Sequence, residues 1–290
     1  MQIGDFDVQN RVLLVAELGN NHEGRFDVAR KLVETAAECG VPAVKFQTFR
    51  TEYYVSRSDA ARFQRLKSFE LTQDQFRQLA DLAHSKGMLF LSTPFDLESA
   101  RFLEEIVDAY KVASGDIAFY PMIRQIARTG KPVILSTGGS DLKQVQQTVS
   151  ILKREWKDSK RNGVFALLHC VSSYPVPAQE ANLRSIHFLA EHFQVPVGYS
   201  DHTLGIEASL LAVAIGARIV EKHFTLDKHF SDFRDHQLSA TPAEIRELLE
   251  KCPRMSSRGK FNSNEAIFST AYSISSIHEQ PFWSMKEVVT

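Results

Sequence analysis

Short apolar runs recur along this chain, and longer amphipathic segments separate them. The runs are continuously hydrophobic rather than alternating, as expected of parallel strands that are buried on both faces. The segments between them carry apolar residues at helical spacing, as at 27–39, 72–86, 140–156 and 207–215. Strands are therefore predicted at 12–16, 43–46, 88–91, 109–112, 132–135, 164–168, 196–199 and 218–221.

Glycines stand where the predicted helices should end, at Gly40, Gly87, Gly130 and Gly216. Eight strand–helix units in one chain favour a closed α/β architecture, a (β/α)8 TIM barrel over residues 1–252; a doubly wound open sheet is the alternative. The Ser-rich segment 253–290 lacks the pattern and is predicted to be a short C-terminal extension. Segment 49–70 is predicted to be a long loop that covers the mouth of the barrel.

Composition narrows the class of protein. The length of 290 residues suits one barrel, and 43% hydrophobic with 24% charged residues is typical of a soluble globular protein. A net charge of −1 gives no reason to expect nucleic acid or a membrane as partner, and neither a membrane span nor a signal peptide is recognised. The three widely spaced cysteines exclude a disulfide framework and a thiolate zinc site, so a cytoplasmic protein is expected.

Polar side chains follow every predicted strand at its carboxyl end, where parallel barrels form their active sites. Lys45 and Lys111 stand within apolar runs, where an unpaired buried ammonium would cost several kcal/mol. We expect both to point into a polar barrel mouth and bind an anion. The alternative is that each lysine pairs with a carboxylate such as Glu17 or Glu221. The arrangement predicts an enzyme rather than a scaffold.

The turn Ser136-Thr-Gly-Gly139 follows the fifth predicted strand and precedes a helix. Its hydroxyls and backbone N–H groups could hold a phosphate. Together with the two lysines, the turn predicts a phosphorylated or carboxylated substrate.

Two histidines, His202 and His223, follow the seventh and eighth predicted strands, with Asp201 and Glu221 beside them. Neighbouring strand ends could bring both imidazoles to one divalent ion such as Mn²⁺, Mg²⁺ or Fe²⁺. The alternative is two separate hydrogen-bonded imidazoles. His22 and His169 are interpreted as hydrogen-bonding or structural residues.

The motifs, taken in order, resemble those of the sialic acid synthase family, including its spore-coat polysaccharide branch. They are AELGNNHEG (16–24), VKFQT (44–48), STPFD (92–96), YKVASGDI (110–117), KPVILSTG (131–138), LLHCVSSYP (167–175), GYSDHT (198–203) and EKHFTLDK (221–228), and the resemblance covers about residues 10–250.

The resemblance implies an enzyme of surface polysaccharide biosynthesis that condenses phosphoenolpyruvate with an aldose such as N-acetylmannosamine, giving a nine-carbon sialic acid and phosphate. It implies a homodimer and a Mn²⁺ or Mg²⁺ ion bound by His202 and His223. Its catalytic carboxylates fall on Glu17 and Asp116. Its substrate-binding positions fall on Lys45, Gln47, Lys111, Ser136, Ser172, Tyr174, Ser200 and Asp235.

The chain also departs from the family pattern. Ser172 replaces a frequent Asn, and segment 227–236 reads DKHFSDFRDH where a Pro-Gly-Pro-Asp loop is usual. Segment 253–290 is too short for the antifreeze-like domain that usually supplies an arginine to the partner's sugar site. The alternatives are therefore another phosphoenolpyruvate–aldose synthase, or a non-catalytic barrel that lost its sugar-recognition domain.

Overall fold

Eight parallel strands close into a barrel over residues 1–252, the part of the chain that the computed structural model describes. They pair in chain order, and the last strand pairs with the first. The strands are β1 (Leu13–Gly19), β2 (Ala43–Thr48), β3 (Leu89–Pro94), β4 (Ala109–Val112), β5 (Val133–Ser136), β6 (Phe165–Cys170), β7 (Val197–Asp201) and β8 (Ile219–His223). The predicted TIM barrel is confirmed, and each strand lies within a few residues of its predicted position.

Helices follow the strands around the outside of the barrel. Thr72 and Asp141 each begin one of the longer helices with a capping box, worth about 1 kcal/mol in helix stability. The helices are α1 (Phe26–Glu38), α2 (Thr51–Tyr54), α3 (Ala60–Phe69), α4 (Gln73–Ser85), α5 (Leu97–Leu103), α6 (Tyr120–Thr129), α7 (Leu142–Asp158), α8 (Arg184–Phe193), α9 (Glu207–Ala214), α10 (Arg234–Leu238) and α11 (Pro242–Lys251).

The barrel interior is apolar towards the amino ends of the strands. A hairpin that pairs Gln2–Ile3 with Phe6–Asp7 closes that end. Because strand side chains alternate, the inward positions nearer the carboxyl ends form a separate layer, and that layer is polar. The apolar cluster contains Ile3, Phe6, Val8, Leu13, Val15, Ala43, Leu91, Ala109, Ile134, Ala166, Leu168 and Ile219.

Segment 49–70 was predicted to be a long loop that covers the mouth of the barrel. The structure differs from this prediction in placing two helices, α2 and α3, within the segment. Asp59 caps α3 by accepting a hydrogen bond of 3.2 Å from the backbone N–H of Arg62. The missed signal was apolar residues at three-residue spacing, which is typical of a short amphipathic helix.

These two helices belong to a separate aromatic cluster, which we call the lid cluster. It joins residues from the connections that follow β2, β3 and β8, so it lies at the carboxyl end of the barrel, as expected for a cover of the mouth. The cluster contains Phe49, Tyr54, Val55, Phe63, Leu66, Phe69, Phe95 and Phe233.

The predicted extension, 253–290, lies outside the described residues. Over residues 1–252, no helix combines the length and apolar character that a membrane crossing requires.

Candidate active site

A layer of polar side chains lies above the apolar interior, at the carboxyl ends of the strands. Most of its members come two residues after an inward apolar residue of the same strand, so the alternation turns them into the same space. All of them are buried, and they come from seven strands: Glu17, Lys45, Thr93, Lys111, Ser136, Ser200, Glu221 and His223.

Both lysines of this layer pair with carboxylates. Lys45 Nζ lies 2.8 Å from Glu17 Oε2 and 3.7 Å from Glu221 Oε2. Lys111 Nζ lies 3.7 Å from Glu221 Oε1. The lysines point into the mouth as expected, and the alternative pairing with Glu17 and Glu221 is observed as well. The two interpretations are compatible, because a carboxylate shared by two ammonium groups can give up one of them to an incoming anion.

The two carboxylates differ in how readily they lose a proton. Burial would raise the pKa of Glu221, but the attraction of Lys111 and Lys45 holds it well below its usual range. Burial raises the pKa of Glu17, and repulsion from Glu221 adds to this against the attraction of Lys45. Glu221 is therefore the permanent anion of the layer, and Glu17 is the carboxyl suited to exchange a proton.

Hydroxyl groups complete the surroundings of Lys111. Its Nζ donates a hydrogen bond of 2.7 Å to Ser136 Oγ, at the end of β5. Ser200 Oγ donates a hydrogen bond of 2.9 Å to Glu221 Oε1. The structure thus brings Lys111, Ser136 and Ser200 together around one carboxylate.

Gln47 and Thr93 surround the other lysine. Gln47 Nε2 donates to Glu17 Oε1 over 2.9 Å and accepts a hydrogen bond of 3.0 Å from Asn20 Nδ2 at its own Oε1. Lys45 Nζ donates to Thr93 Oγ1 over 3.0 Å. Thr93 is one of the polar residues at the strand ends, but it is not among the positions that the family resemblance implies.

Ser172 lies where the loop after β6 meets the turn after β5. A Cβ on Gly138 would lie 2.5 Å from Cys170 Sγ and 2.9 Å from Ser172 Oγ, so this close approach requires a glycine. Ser172 Oγ also lies 3.3 Å from Ser114 Oγ. The glycine turn that was predicted to hold phosphate therefore has hydroxyl groups from two further loops beside it.

The rings of His202 and His223 face the same region, with centroids 5.7 Å apart. His202 Nδ1 contacts the Val171 carbonyl oxygen over 2.9 Å, and because a carbonyl only accepts, its Nε2 keeps a free lone pair. His223 Nδ1 is buried without a hydrogen-bond partner. Burial lowers the pKa of both imidazoles, that of His223 to about 4, so both are neutral at pH 7.

This donor set fits a divalent ion, because neutral imidazoles with free lone pairs are good metal ligands. Among the described residues, no group of three or more His, Cys, Asp or Glu side chains is arranged to hold an ion. The described part of the protein therefore offers two ligands, which leaves the remaining coordination positions to water or substrate oxygens.

Asp201 does not lie beside the histidines as predicted. Its carboxylate is on the outer side of the barrel, where it is fully buried and 3.2 Å from Lys222 Nζ. The prediction was wrong because successive residues of a strand face opposite sides of the sheet.

Tyr174 and Asp235 lie next to the histidine pair. The Tyr174 ring stacks on His202 with centroids 4.1 Å apart and meets the His223 ring edge-on at 6.2 Å. Asp235 is buried, its Oδ1 lacks a hydrogen-bond partner, and its charge acts on His223. The guanidinium carbon of Arg234 lies 5.1 Å from the centre of the Tyr174 ring.

Asp116 ends a short 3-10 turn after β4 and is half-buried. Burial raises its pKa to about 6, against the attraction of Lys111. Its charge also acts on Tyr54 of α2. The charge of Asp116 thus acts on both the lysine layer and the lid cluster.

Two other histidines take part in local structure. His22 Nδ1 accepts a hydrogen bond of 3.0 Å from the backbone N–H of Gly24. His169 Nε2 lies 2.8 Å from the Ala181 carbonyl oxygen, and its ring stacks on Tyr199.

Comparison with known proteins gives consistent matches. The sequence model of the NeuB family matches residues 32–260. An uncharacterized protein of Methanocaldococcus jannaschii is 45% identical over 239 residues, which are 81% of this chain and 68% of that protein. N,N'-diacetyllegionaminic acid synthase of Campylobacter jejuni is 39% identical over 252 residues, 82% of this chain and 74% of the enzyme. The crystal structure of N-acetylneuraminic acid (sialic acid) synthetase from Leptospira borgpetersenii, in complex with citrate, is 34% identical with a TM-score of 0.84 and covers 96% of both chains.

Proposed function

Because this chain belongs to the NeuB family, we propose that it condenses phosphoenolpyruvate with an N-acetylmannosamine-like aldose to form a nonulosonic acid and phosphate. The observation that carries the proposal is the single barrel mouth shared by two unlike groups of residues. One group is the lysine and hydroxyl layer, which suits an anion. The other is the pair of neutral imidazoles under Tyr174, which suits an ion and a sugar oxygen.

The lysine layer would bind phosphoenolpyruvate. Lys111 and Ser136 already lie 2.7 Å apart, and both could donate to the same phosphate or carboxylate oxygens. Lys45 would provide the second cation, and Ser172 beside the Gly138 turn would extend the phosphate contacts. Entry of the substrate would replace part of the pairing with Glu221 by pairing with the substrate's own charges.

The histidine group would bind the acceptor aldehyde. A divalent ion, Mn²⁺ or Mg²⁺, held by His202 and His223 would polarise the aldehyde oxygen. The double-bond electrons of phosphoenolpyruvate would then form the new carbon–carbon bond between its methylene carbon and the aldehyde carbon, whose C=O bond opens and whose oxygen takes up a proton. Water would add to the cationic carbon that results and lose its protons, and cleavage of the bond between that carbon and the phosphate oxygen would release phosphate and leave the keto group. Tyr174 and Asp235 would orient the sugar hydroxyls beside the ion.

Glu17 would handle the proton of the attacking water. Its raised pKa suits a group that takes up and returns a proton, and Gln47 holds one of its oxygens at 2.9 Å. Asp116, with a pKa of about 6, would serve as the second acid–base group, near Lys111.

The direct test is phosphate release from phosphoenolpyruvate and N-acetylmannosamine in the presence of Mn²⁺, with and without EDTA. We expect release that requires both substrates and stops with chelator. A panel of other hexosamines and of phosphorylated aldoses distinguishes this activity from that of other phosphoenolpyruvate–aldose synthases. If no acceptor releases phosphate, the proposal fails and the non-catalytic alternative is favoured. The homodimer and the cytoplasmic location stay predictions; light scattering tests the first.

A further inference from the structure

A completely buried ion pair lies behind the two candidate metal-binding histidines. Asp201 and Lys222 are register partners in the β7–β8 pairing, and each directly precedes one of the histidines. Both side chains have zero exposure, and Asp201 Oδ2 lies 3.2 Å from Lys222 Nζ. They face α9, on the side of the sheet opposite to Glu221. The described chain therefore holds two charges where its barrel strands and helices meet in apolar packing.

The pair is tied to the residue that follows His202. Asp201 Oδ1 accepts hydrogen bonds from the Thr203 backbone N–H at 2.8 Å and from Thr203 Oγ1 at 2.7 Å. Lys222 Nζ donates to the Thr203 carbonyl oxygen over 2.5 Å. Ser209 Oγ on α9 donates to Asp201 Oδ2 over 2.6 Å. One ion pair thus binds the backbone donor, the backbone acceptor and the hydroxyl of Thr203.

His202 is consequently held from both sides. Its own carbonyl oxygen accepts a hydrogen bond of 2.9 Å from the Val176 backbone N–H, and its Nδ1 contacts the Val171 carbonyl. The loop after β6 therefore fixes the ring, and the ion pair fixes the chain just beyond it. Lys222 immediately precedes His223 in β8, so the ion pair also links the strand that carries the second histidine to the strand that carries the first.

A buried ion pair is weak support for a purely stabilising role. Removing two charges from water costs several kcal/mol per ion, and apolar residues of similar volume often serve stability as well or better. A pair that instead fixes the geometry of nearby ligands has a reason to be charged, since its hydrogen bonds are directional. We propose that Asp201 and Lys222 are positioning residues that set the spacing and direction of His202 and His223 for the divalent ion. This inference rests on the proposed function.

The test measures Mn²⁺ binding directly, by electron paramagnetic resonance of free Mn²⁺, on the full chain without substrates. We expect Asp201→Asn, which keeps the shape but not the charge, to weaken Mn²⁺ binding about 10- to 100-fold. The double variant Asp201→Asn with Lys222→Met should lose about as much as the single variant, because the two residues act as a unit. Ser209→Ala removes one hydrogen bond to the carboxylate and should give a smaller loss.

The matched control is Glu155→Gln, which alters a different buried carboxylate. Glu155 pairs with Arg124 at 2.5 Å and Arg128 at 3.0 Å, between α6 and α7. The Glu155→Gln variant should have a lower melting temperature than the parent and the same Mn²⁺ affinity. If the role of Asp201 is merely structural, Asp201→Asn will also lower the melting temperature and leave Mn²⁺ affinity unchanged. That result would overturn the inference. Should Asp201→Asn not fold, parental Mn²⁺ affinity in Ser209→Ala overturns it.

The failure of the inference and that of the proposed function give different results. Mn²⁺ binding that is lost in His202→Ala but parental in folded Asp201→Asn overturns the positioning role alone. A parent chain that binds no Mn²⁺, or a His202→Ala variant that binds it as the parent does, overturns the proposed metal site and with it this inference.

Discussion

Asp116 offers a test of the site that needs no knowledge of the sugar. Burial raises its pKa from 3.8 to about 6, so folding disfavours the ionised form. The resulting cost is absent below about pH 3.8 and fully present once the pH has risen through about 6. The difference between these two pKa values corresponds to a loss of folding free energy of about 3 kcal/mol as an upper bound. A loss of about 1–2 kcal/mol remains after allowance for solvent screening of a half-buried group.

The substitution Asp116→Asn removes the charge and keeps the shape, so it should make the protein more stable. At pH 7.5 we expect a rise of about 4 °C in melting temperature, and about half of that at pH 5. Phosphate release should nevertheless fall by about 100-fold or more, as for the loss of an acid–base group. Differential scanning fluorimetry at both pH values and a phosphate assay measure the two effects.

The control for this experiment is Asp27→Asn on α1. A hydrogen bond from Arg25 lowers the pKa of Asp27, so this variant should gain no stability at pH 7.5. A melting temperature of Asp116→Asn that equals the parent's at both pH values, or differs by the same amount at both, would refute the reasoning. Parental activity in the variant would remove Asp116 from the catalytic machinery.

Three further predictions concern variants of residues in the barrel mouth. His202→Ala and His223→Ala should each lose Mn²⁺ binding, measured by titration, while circular dichroism stays that of a folded barrel; parental affinity in either would reject that ligand. Lys111→Ala should raise the KM for phosphoenolpyruvate more than the KM for the sugar, because its ammonium group donates a hydrogen bond to Ser136 within the layer that we propose binds phosphoenolpyruvate; a larger rise in the KM for the sugar would assign Lys111 to the acceptor. Glu221→Gln should destabilise the protein by about 3–5 kcal/mol, because Lys45 and Lys111 lose their shared carboxylate. Adding phosphoenolpyruvate should then raise the melting temperature of the Glu221→Gln variant by more than it raises that of the parent. An equal rise in the two proteins would contradict this prediction.

The barrel could be predicted because strands buried on both faces leave a strong pattern of apolar runs. The helix α3 leaves a weaker signal, a few apolar residues at three-residue spacing, and these residues pack in a cluster made by distant loops. Phe69 contacts Phe233 edge-on at 5.3 Å, across more than half of the sequence. Local spacing indicates such a helix only weakly, and tertiary packing stabilises it.

The sequence predicted that polar side chains gather at one end of the barrel, but it predicted their geometry less well. Strand ends indicated the polar layer, but a shift of one residue along a strand reverses the side that a residue faces. Asp201 was therefore expected beside the histidines, although it faces α9 and pairs with Lys222. Pairing of the lysines with Glu17 or Glu221 was one alternative that the sequence offered, but the sharing of Glu221 by both lysines depends on the curvature that brings β2, β4 and β8 to one axis.

The charges of the polar layer would let it be stable without a bound anion and still bind the substrate anion that we propose. Lys45 and Lys111 need counter-charges in a buried mouth, and Glu221 supplies one that its neighbours keep ionised. Glu17 also pairs with Lys45, yet its raised pKa means that it takes up a proton more easily than an ordinary carboxyl. If an anion enters as proposed, its repulsion would favour the protonated form of Glu17, and Lys45 would then be free to bind the anion. Glu17 would therefore hold a proton before the chemistry starts, and it would have to give that proton up, for example to the oxygen of the aldehyde, before it could accept one from the attacking water.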